Sequence, residues 1–487
     1  MGTRIRRSCE KLSIIFVSVV MSTVGTEALA HRPSDSSGPP APASAYSLPA
    51  PYKTRHAEED FSYLKDLSKR NDPFDPIKYI PLAGREDWFL TFGGEARLRY
   101  EYFNNRNFGD APQDRNGYLL QRYMFFGDMH IGNHFRIFSE FKSAFINFEQ
   151  STPRSTDENH LELHQAFVDL SIDPTPNTTL TIRPGRQEMA YGATRLVSIR
   201  EAPNDRLAFD GVRVTGEGEG WRIDGFVTRP VLTRPGRFDD VTDANTHFWG
   251  LHAVKAFSAD SKGGMNAYYF GLNREGAERN QLTGLELRHT VGARVFDRVG
   301  SWDYDIEGTF QWGSFGNGDI RAWRLAFDGG YHLSALPFRP RPHFQVDVMS
   351  GDRSVGDQNI ETFNPLFPKL HYFGLIAVIG PANLINIHPS IDFQLTEKIK
   401  ATTKVDFFWR QSVNDGLYNA AGEQFLFPGA SKATYVGSEV QAEIAWQLNR
   451  HILWIANYTH FFAGKFVRDS GSGKDIDYAT TWVTFRF

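Results

Sequence analysis

Trp88–Phe103 reads WFLTFGGEARLRYEYF. Ala96, Leu98, Tyr100 and Tyr102 share one face; Glu95, Arg97, Arg99 and Glu101 share the other. That period of two is the period of a strand. One apolar face and one fully charged face suit a sheet with lipid outside and water inside. They also suit a half-solvated soluble sheet, so a single copy does not decide the fold. What decides it is recurrence. Leu285–Val295 sets Leu285, Leu287, Val291, Ala293 and Val295 against Glu286, Arg288, Thr290 and Arg294. Trp302–Trp312 sets Tyr304, Ile306, Phe310 and Trp312 against Asp303, Asp305, Glu307 and Gln311. Lys400–Arg410 and Val436–Gln447 repeat the pattern, the latter with Val436, Val440, Ala442, Ile444 and Trp446 on its apolar face. Weaker copies fill the chain between them.

Aromatic residues sit at the ends of these runs, as at Trp88, Tyr102, Trp302, Trp312, Trp446, Trp454 and Tyr458. Rings that are apolar in body and polar at the tip belong at the two edges of a bilayer. Turn-forming stretches such as Asn104–Asn116, Gly316–Asp319 and Asp469–Gly473 separate the runs. The fold class expected is all-β, a transmembrane antiparallel barrel over residues 87–487. At about 22 residues per strand and loop, this length holds roughly 18 strands, with 16 almost as good a fit. So wide a barrel cannot fill its interior with core side chains and should enclose a polar lumen.

The final stretch, Tyr478–Phe487 (YATTWVTFRF), alternates too. It reads as the strand that closes the barrel against the one near Trp88. Thr480, Thr484 and Arg486 face the lumen and Val483, Phe485 and Phe487 the lipid, with Trp482 a misfit on the lumen face. At the other end, Arg4, Arg6, Arg7 and Lys11 precede an apolar run from Leu12 to Val24, and Ala28-Leu29-Ala30 follows. This is the layout of a secretory signal over residues 1–30. Residues 31–86 read as a Pro- and Ala-rich linker, then a short periplasmic extension set against or into a barrel mouth. Ala57–Arg70 suggests one helix carrying Phe61, Leu64 and Leu67 on a common side.

The only cysteine, Cys9, lies in the signal, which leaves no disulfide, thiolate metal site or cysteine nucleophile. The signal holds four of the chain's 53 basic residues and two of its 57 acidic ones, leaving 49 against 55, a net of −6. Nucleic-acid binding wants a basic footprint and is not expected. No HExxH or GxSxG occurs. His160 and His164 lie four apart on a strand, a spacing that means one face and not a helical metal pair. No catalytic residue, metal or cofactor is assigned.

The inward faces offer Arg97, Arg99, Arg122, Arg136, Arg183, Arg213, Arg288, Arg294, Arg324, Lys404 and Arg410 as lumen candidates, with Arg186 at a strand end. Carboxylates of similar number share those faces, and many of these groups can pair across strands. The planar guanidinium fork matches carboxylates bidentately, so Arg clusters suit an anionic polymer. Two connections are long. Ser350–Gly374 has an apolar middle and suggests either a pore constriction formed by Phe363, Asn364, Phe367 and Lys369 or a cover over a mouth. Gly185–Asn204 carries Arg195, Arg200 and Glu201, whose charges suit a conduit.

Five stretches then resemble a known family: GYLLQRYMFFGDMHIG (Gly117–Gly132), LHQAFVDL (Leu163–Leu170), GRQEMAYG (Gly185–Gly192), PNDRLAFDGVRV (Pro203–Val214) and FNPLFPKLHYFG (Phe363–Gly374). Together they resemble the alginate-export outer-membrane porins. The resemblance implies a monomeric 18-stranded barrel that passes an acetylated polyuronate through an Arg-rich constriction, with loops gating the ends. It carries over to Arg186, Arg213 and Arg122 here. The function expected is passive outer-membrane export of an anionic polysaccharide. The partners expected are that polymer, outer-membrane lipid and periplasmic polymer-synthesis or scaffold proteins. A general or small-solute porin is the first alternative; a barrel enzyme or an adhesive, structural barrel is the second.

Overall fold

Alternation along Arg85–Asn104 is what the backbone adopts. In this strand, β1, Leu98 and Tyr100 are 45% and 40% exposed on the outside, while Arg97 and Arg99 are each 3% exposed on the inside. The computed structural model describes residues 52–487, except 111, 152, 259–261, 280–281, 355–356 and 430. The expected signal, and the linker as far as residue 51, lie outside the described residues.

Seventeen further strands follow β1. They are β2 (Tyr118–Ile131), β3 (Phe135–Asn147), β4 (Asn159–Thr175), β5 (Thr178–Gln187), β6 (Phe209–Gly218) and β7 (Trp221–Leu232). Next come β8 (Thr246–Ala256), β9 (Gly264–Arg279), β10 (Leu282–Val299), β11 (Trp302–Phe315), β12 (Gly318–Tyr331) and β13 (Arg341–Met349). The last are β14 (Leu384–Gln394), β15 (Ile399–Arg410), β16 (Tyr435–Gln447), β17 (Ile452–Ala463) and β18 (Ile476–Arg486). Each pairs antiparallel with the next, and β18 returns to β1 from Glu95↔Arg486 to Asn104↔Asp477. The result is a closed 18-stranded antiparallel barrel. Closure removes every sheet edge, which a sheet in hydrocarbon requires.

Short turns such as 132–134, 176–177, 219–220 and 300–301 gather at the end where β1 begins and β18 finishes. Long connections (188–208, 350–383 and 411–434) gather at the other. In outer-membrane barrels the short-turn end is periplasmic. Trp302, beside such a turn, is 64% exposed and packs edge-on to Tyr331, while Tyr458 and Trp312 lie toward the opposite rim. These rings sit at the two levels where a bilayer edge wants them.

The extension is built differently from the single helix expected. It forms three short 3-10 turns, His56–Glu58, Ser62–Lys65 and Leu67–Lys69, because Phe61 and Leu64 turn inward while Leu67 stays 71% exposed. Docking onto the wall, not a continuous apolar stripe, sets its path. Tyr52, Phe61, Leu64 and Tyr79 pack against lumen-side Phe89, Phe126, Phe138 and Phe167. Ile80–Leu82 then folds back on β1 through Ala83 and Gly84, both left-handed at φ 52° and 67°, as a tight hairpin needs.

Bulges interrupt simple alternation at several wall positions, and two of them bear on the lumen. Val436, expected outside, is fully buried, since Gly437 (φ 152°) makes a bulge that flips its neighbour. A second bulge on β4 lets consecutive His164 and Gln165 both face inward opposite Glu140 of β3. On β18, Trp482 does face inward, 9% exposed, where the Arg99 guanidinium stacks 5.0 Å from its ring. Phe487 is not open to lipid as expected, because Phe74 and Lys78 of the extension cover its ring.

Candidate functional site: the lumen and its inserted segments

Two of the long connections enter the barrel. Residues 188–208 and 350–383 meet inside it, where Phe367 N–H donates to Leu196 O (2.8 Å) and Ser198 N–H to Phe367 O (2.9 Å). Val197 and Phe367 thereby form a parallel bridge. Phe363, Leu366 and Phe367 bury themselves with wall residues Phe209, Phe248 and Phe270. The apolar middle of the loop that seemed suited to a constriction is therefore its anchor to the wall. Asn364 adds polar ties, donating to Glu286 (3.0 Å) and accepting from Gln311 (2.7 Å) on β10 and β11.

The inward arginines meet these segments and each other's carboxylates. Arg97 donates to the carbonyls of Glu201 (2.9 Å) and Pro203 (2.6 Å), and Arg99 to that of Ala202 (2.7 Å). Arg122 pairs with Glu95 (2.6 Å) and Glu201 (2.5 Å). Arg206 also pairs with Glu201, and Arg486 with Glu95 (2.8 Å). Four guanidiniums thus surround two carboxylates. This node joins the seam of the barrel to the first inserted segment.

Elsewhere the match is closer to one for one. Arg183 grips Asp169 with both arms (2.5 and 2.6 Å), Arg136 grips Asp128 (2.7 and 2.8 Å), and Arg186 grips Asp210 (2.9 and 3.1 Å). Arg294 pairs with Asp305 (2.7 Å), Arg288 with Glu286 (2.6 Å) and Arg324 with Asp347 (2.7 Å). Lys404 pairs with Asp406 (3.3 Å) and donates to the carbonyl of Phe373 on the second inserted segment. Arg213 reaches Asp224 only at 4.0 Å. Arg410 turns from the conduit to carbonyls of the 411–434 connection, including Asp415 O (2.9 Å) and Ala433 O. Buried pairs of this kind lock geometry more than they add stability.

Arg195 of the first segment reaches the wall at β11, five strands on from β6, donating to Asp305 (3.0 Å) and Glu307 (2.7 Å). Lys369 and Arg200, one on each inserted segment, have no ion-pair partner among the described residues. Lys369 lies 5.4 Å from the ring of Tyr372. Burial, with Arg195 nearby, pushes its amino group down to about 8. Burial and Arg274 push the Arg200 guanidinium down to about 10. Arg206 escaped the sequence reading, although it stands in PNDRLAFDGVRV; no periodicity marks a residue that enters the lumen on a loop.

The alginate-export family model matches residues 89–480. The chain belongs to the alginate-export family. Family and barrel together make it an outer-membrane channel. No curated protein matches the chain. Among solved structures it is similar to a BenF-like porin from Pseudomonas fluorescens Pf-5, at 9% identity and a TM-score of 0.55 over 82% of this chain and 99% of that one. It is also similar to Pseudomonas aeruginosa OpdK with vanillate, at 12% identity and a TM-score of 0.53 over 81% and 98%. A third is P. aeruginosa OccK5 (OpdH), at 12% identity and 0.52 over 82% and 98%. At such identities the likeness is one of fold.

Proposed function

We propose that this alginate-export family member is a passive channel for an anionic polysaccharide of the uronate type. The observation that carries the reading is the contrast between matched and unmatched cations. Most wall guanidiniums are held by carboxylates, whereas Lys369 and Arg200 stand on the inserted segments with no acidic partner among the described residues. A cation already paired is spent, and one left unpaired is available to a passing carboxylate. Export of this kind runs down a gradient, with outer-membrane lipid around the barrel and polymer-synthesis or scaffold proteins delivering the chain on the periplasmic side.

Planar-bilayer recording on the purified protein tests it. Polyuronate should block the ion current, and the double variant Lys369→Gln/Arg200→Gln should weaken that block. A conducting protein indifferent to polyuronate sinks the reading. A small-solute porin is the second reading. It draws support from the bridging of the two inserted segments inside the barrel and from the fold shared with porins such as OpdK. It would show as block by small carboxylates and not by polymer.

A further inference from the structure

A buried cluster lies where the extension, the wall and the first inserted segment meet. Glu140 of β3, His164 of β4 and Glu188, the first residue past β5, each bring a ligand atom within 4.8 Å of the others. They are 0%, 2% and 5% exposed. The β4 bulge turns His164 inward beside Gln165. His164 Nε2 lies 2.9 Å from Glu188 Oε1, while Glu188 Oε2, buried, has no hydrogen-bond partner. Gln165 donates to Glu140 Oε2 (2.9 Å) and accepts from Glu188 N–H (3.0 Å), so one amide holds the Glu140 carboxylate and the Glu188 backbone in place. His56 of the extension hydrogen-bonds Glu140 Oε1 from behind.

We infer that Glu140, His164 and Glu188 form a binding site for one divalent first-row transition metal. Two buried carboxylates confined together repel, and an orphaned buried oxygen is costly; a dication answers both. An imidazole with two carboxylates suits zinc or manganese, whereas an all-oxygen set would suit calcium or magnesium. Two ligand atoms about 2 Å from a tetrahedral ion lie roughly 3.3 Å apart; His164 and Glu188 already approach that closely, and Glu140, within 4.8 Å of both, needs only a small side-chain shift. His56 and Gln165 supply the outer hydrogen bonds that orient metal-binding carboxylates. Two cations stand nearby. Arg206 approaches Glu188 Oε1 only to 3.5 Å, and Lys142 is engaged by Asp205. The ion ties the start of the inserted segment to the wall directly, and the extension to it through His56. The inference does not depend on what passes through the barrel.

The test uses full-chain protein in detergent, stripped with chelator and titrated with Zn2+ alone. One saturable site per chain is expected, weakened at least tenfold by Glu188→Gln and by His164→Asn. Retained heat-modifiable migration on SDS gels shows that each variant is folded. Bound zinc should also protect the extension from protease. Absence of a one-to-one site, or equal affinity in a folded variant, overturns the inference. If neither variant folds, a one-to-one visible Co2+ spectrum of the wild-type protein that Zn2+ displaces supports the site, and its absence overturns it.

Discussion

Lys369 and Lys78 are both buried amines pushed down to about 8 by burial, and their surroundings separate their roles. Lys78 lies between 4.7 and 5.5 Å from the rings of Tyr52, Phe61, Phe126 and Phe487, and its amino group finds no hydrogen-bond acceptor. It holds the extension against the wall through cation–π contacts. Lys369 touches one ring and, taken as a whole residue, is only half-buried. A lowered value means that its proton leaves about two units earlier than an ordinary lysine's. Polyuronate block should therefore weaken as pH rises through about 8. Lys369→Gln should remove that step, weakening block at pH 7 by roughly fivefold, the worth of about 1 kcal/mol for one partly screened charge. Lys369→Arg should keep block constant from pH 7 to 9. Bilayer recordings across that range check all three. Gly93 gives a second test. A Cβ there would lie 2.3 Å from Lys78 Nζ and 2.5 Å from the Phe126 ring. Gly93→Ala should loosen the extension and speed its proteolysis while the barrel stays folded. At this scale the direction of a wall residue was legible from its parity except at the bulges, as at Val436 and His164. Its partner was not, as with Arg410, which shares the inward parity but binds loop carbonyls.

Among the elements, the inserted segments depend on a few polar anchors. Arg195 pins the first to β11, five strands on from β6. Arg195→Ala should cost about 2 kcal/mol, typical for hydrogen bonds to charged groups, and less than a full orphaning because Arg294 still holds Asp305 and Tyr268 still holds Glu307. The segment should move, seen as larger and noisier single-channel conductance with unchanged heat-modifiability. Length and apolar content marked Ser350–Gly374 as a loop that folds inward or covers a mouth, but which of its residues anchor it depended on wall rings from β6, β8 and β9. The extension was misread as one helix for a related reason. Phe61, Leu64 and Leu67 share a helical side in isolation, yet the wall accepts only the first two.

For the whole molecule, closure rests on the β1–β18 seam. Beyond the paired strands, Phe487 N–H donates to Gly94 O (3.1 Å) and Gly94 N–H to Phe487 O (3.0 Å), and Arg486 reaches Glu95 (2.8 Å). Removing Phe487 deletes both backbone bonds and the ring under Lys78. Assembly into the outer membrane should fall severalfold, read as loss of the heat-modifiable band; normal assembly would contradict it. The sequence by itself determined the barrel, its strand directions, its count of about 18 and, away from the bulges, the residues on each face. Those follow from a period of two, which any short stretch displays locally. Only the tertiary structure decided that the guanidiniums are largely matched by carboxylates. It also decided that loop and extension occupy the lumen, and that Glu140, His164 and Glu188 meet. Such meetings join residues far apart in the chain across a closed ring, and a bulge of one residue is enough to turn a side chain from lipid to lumen.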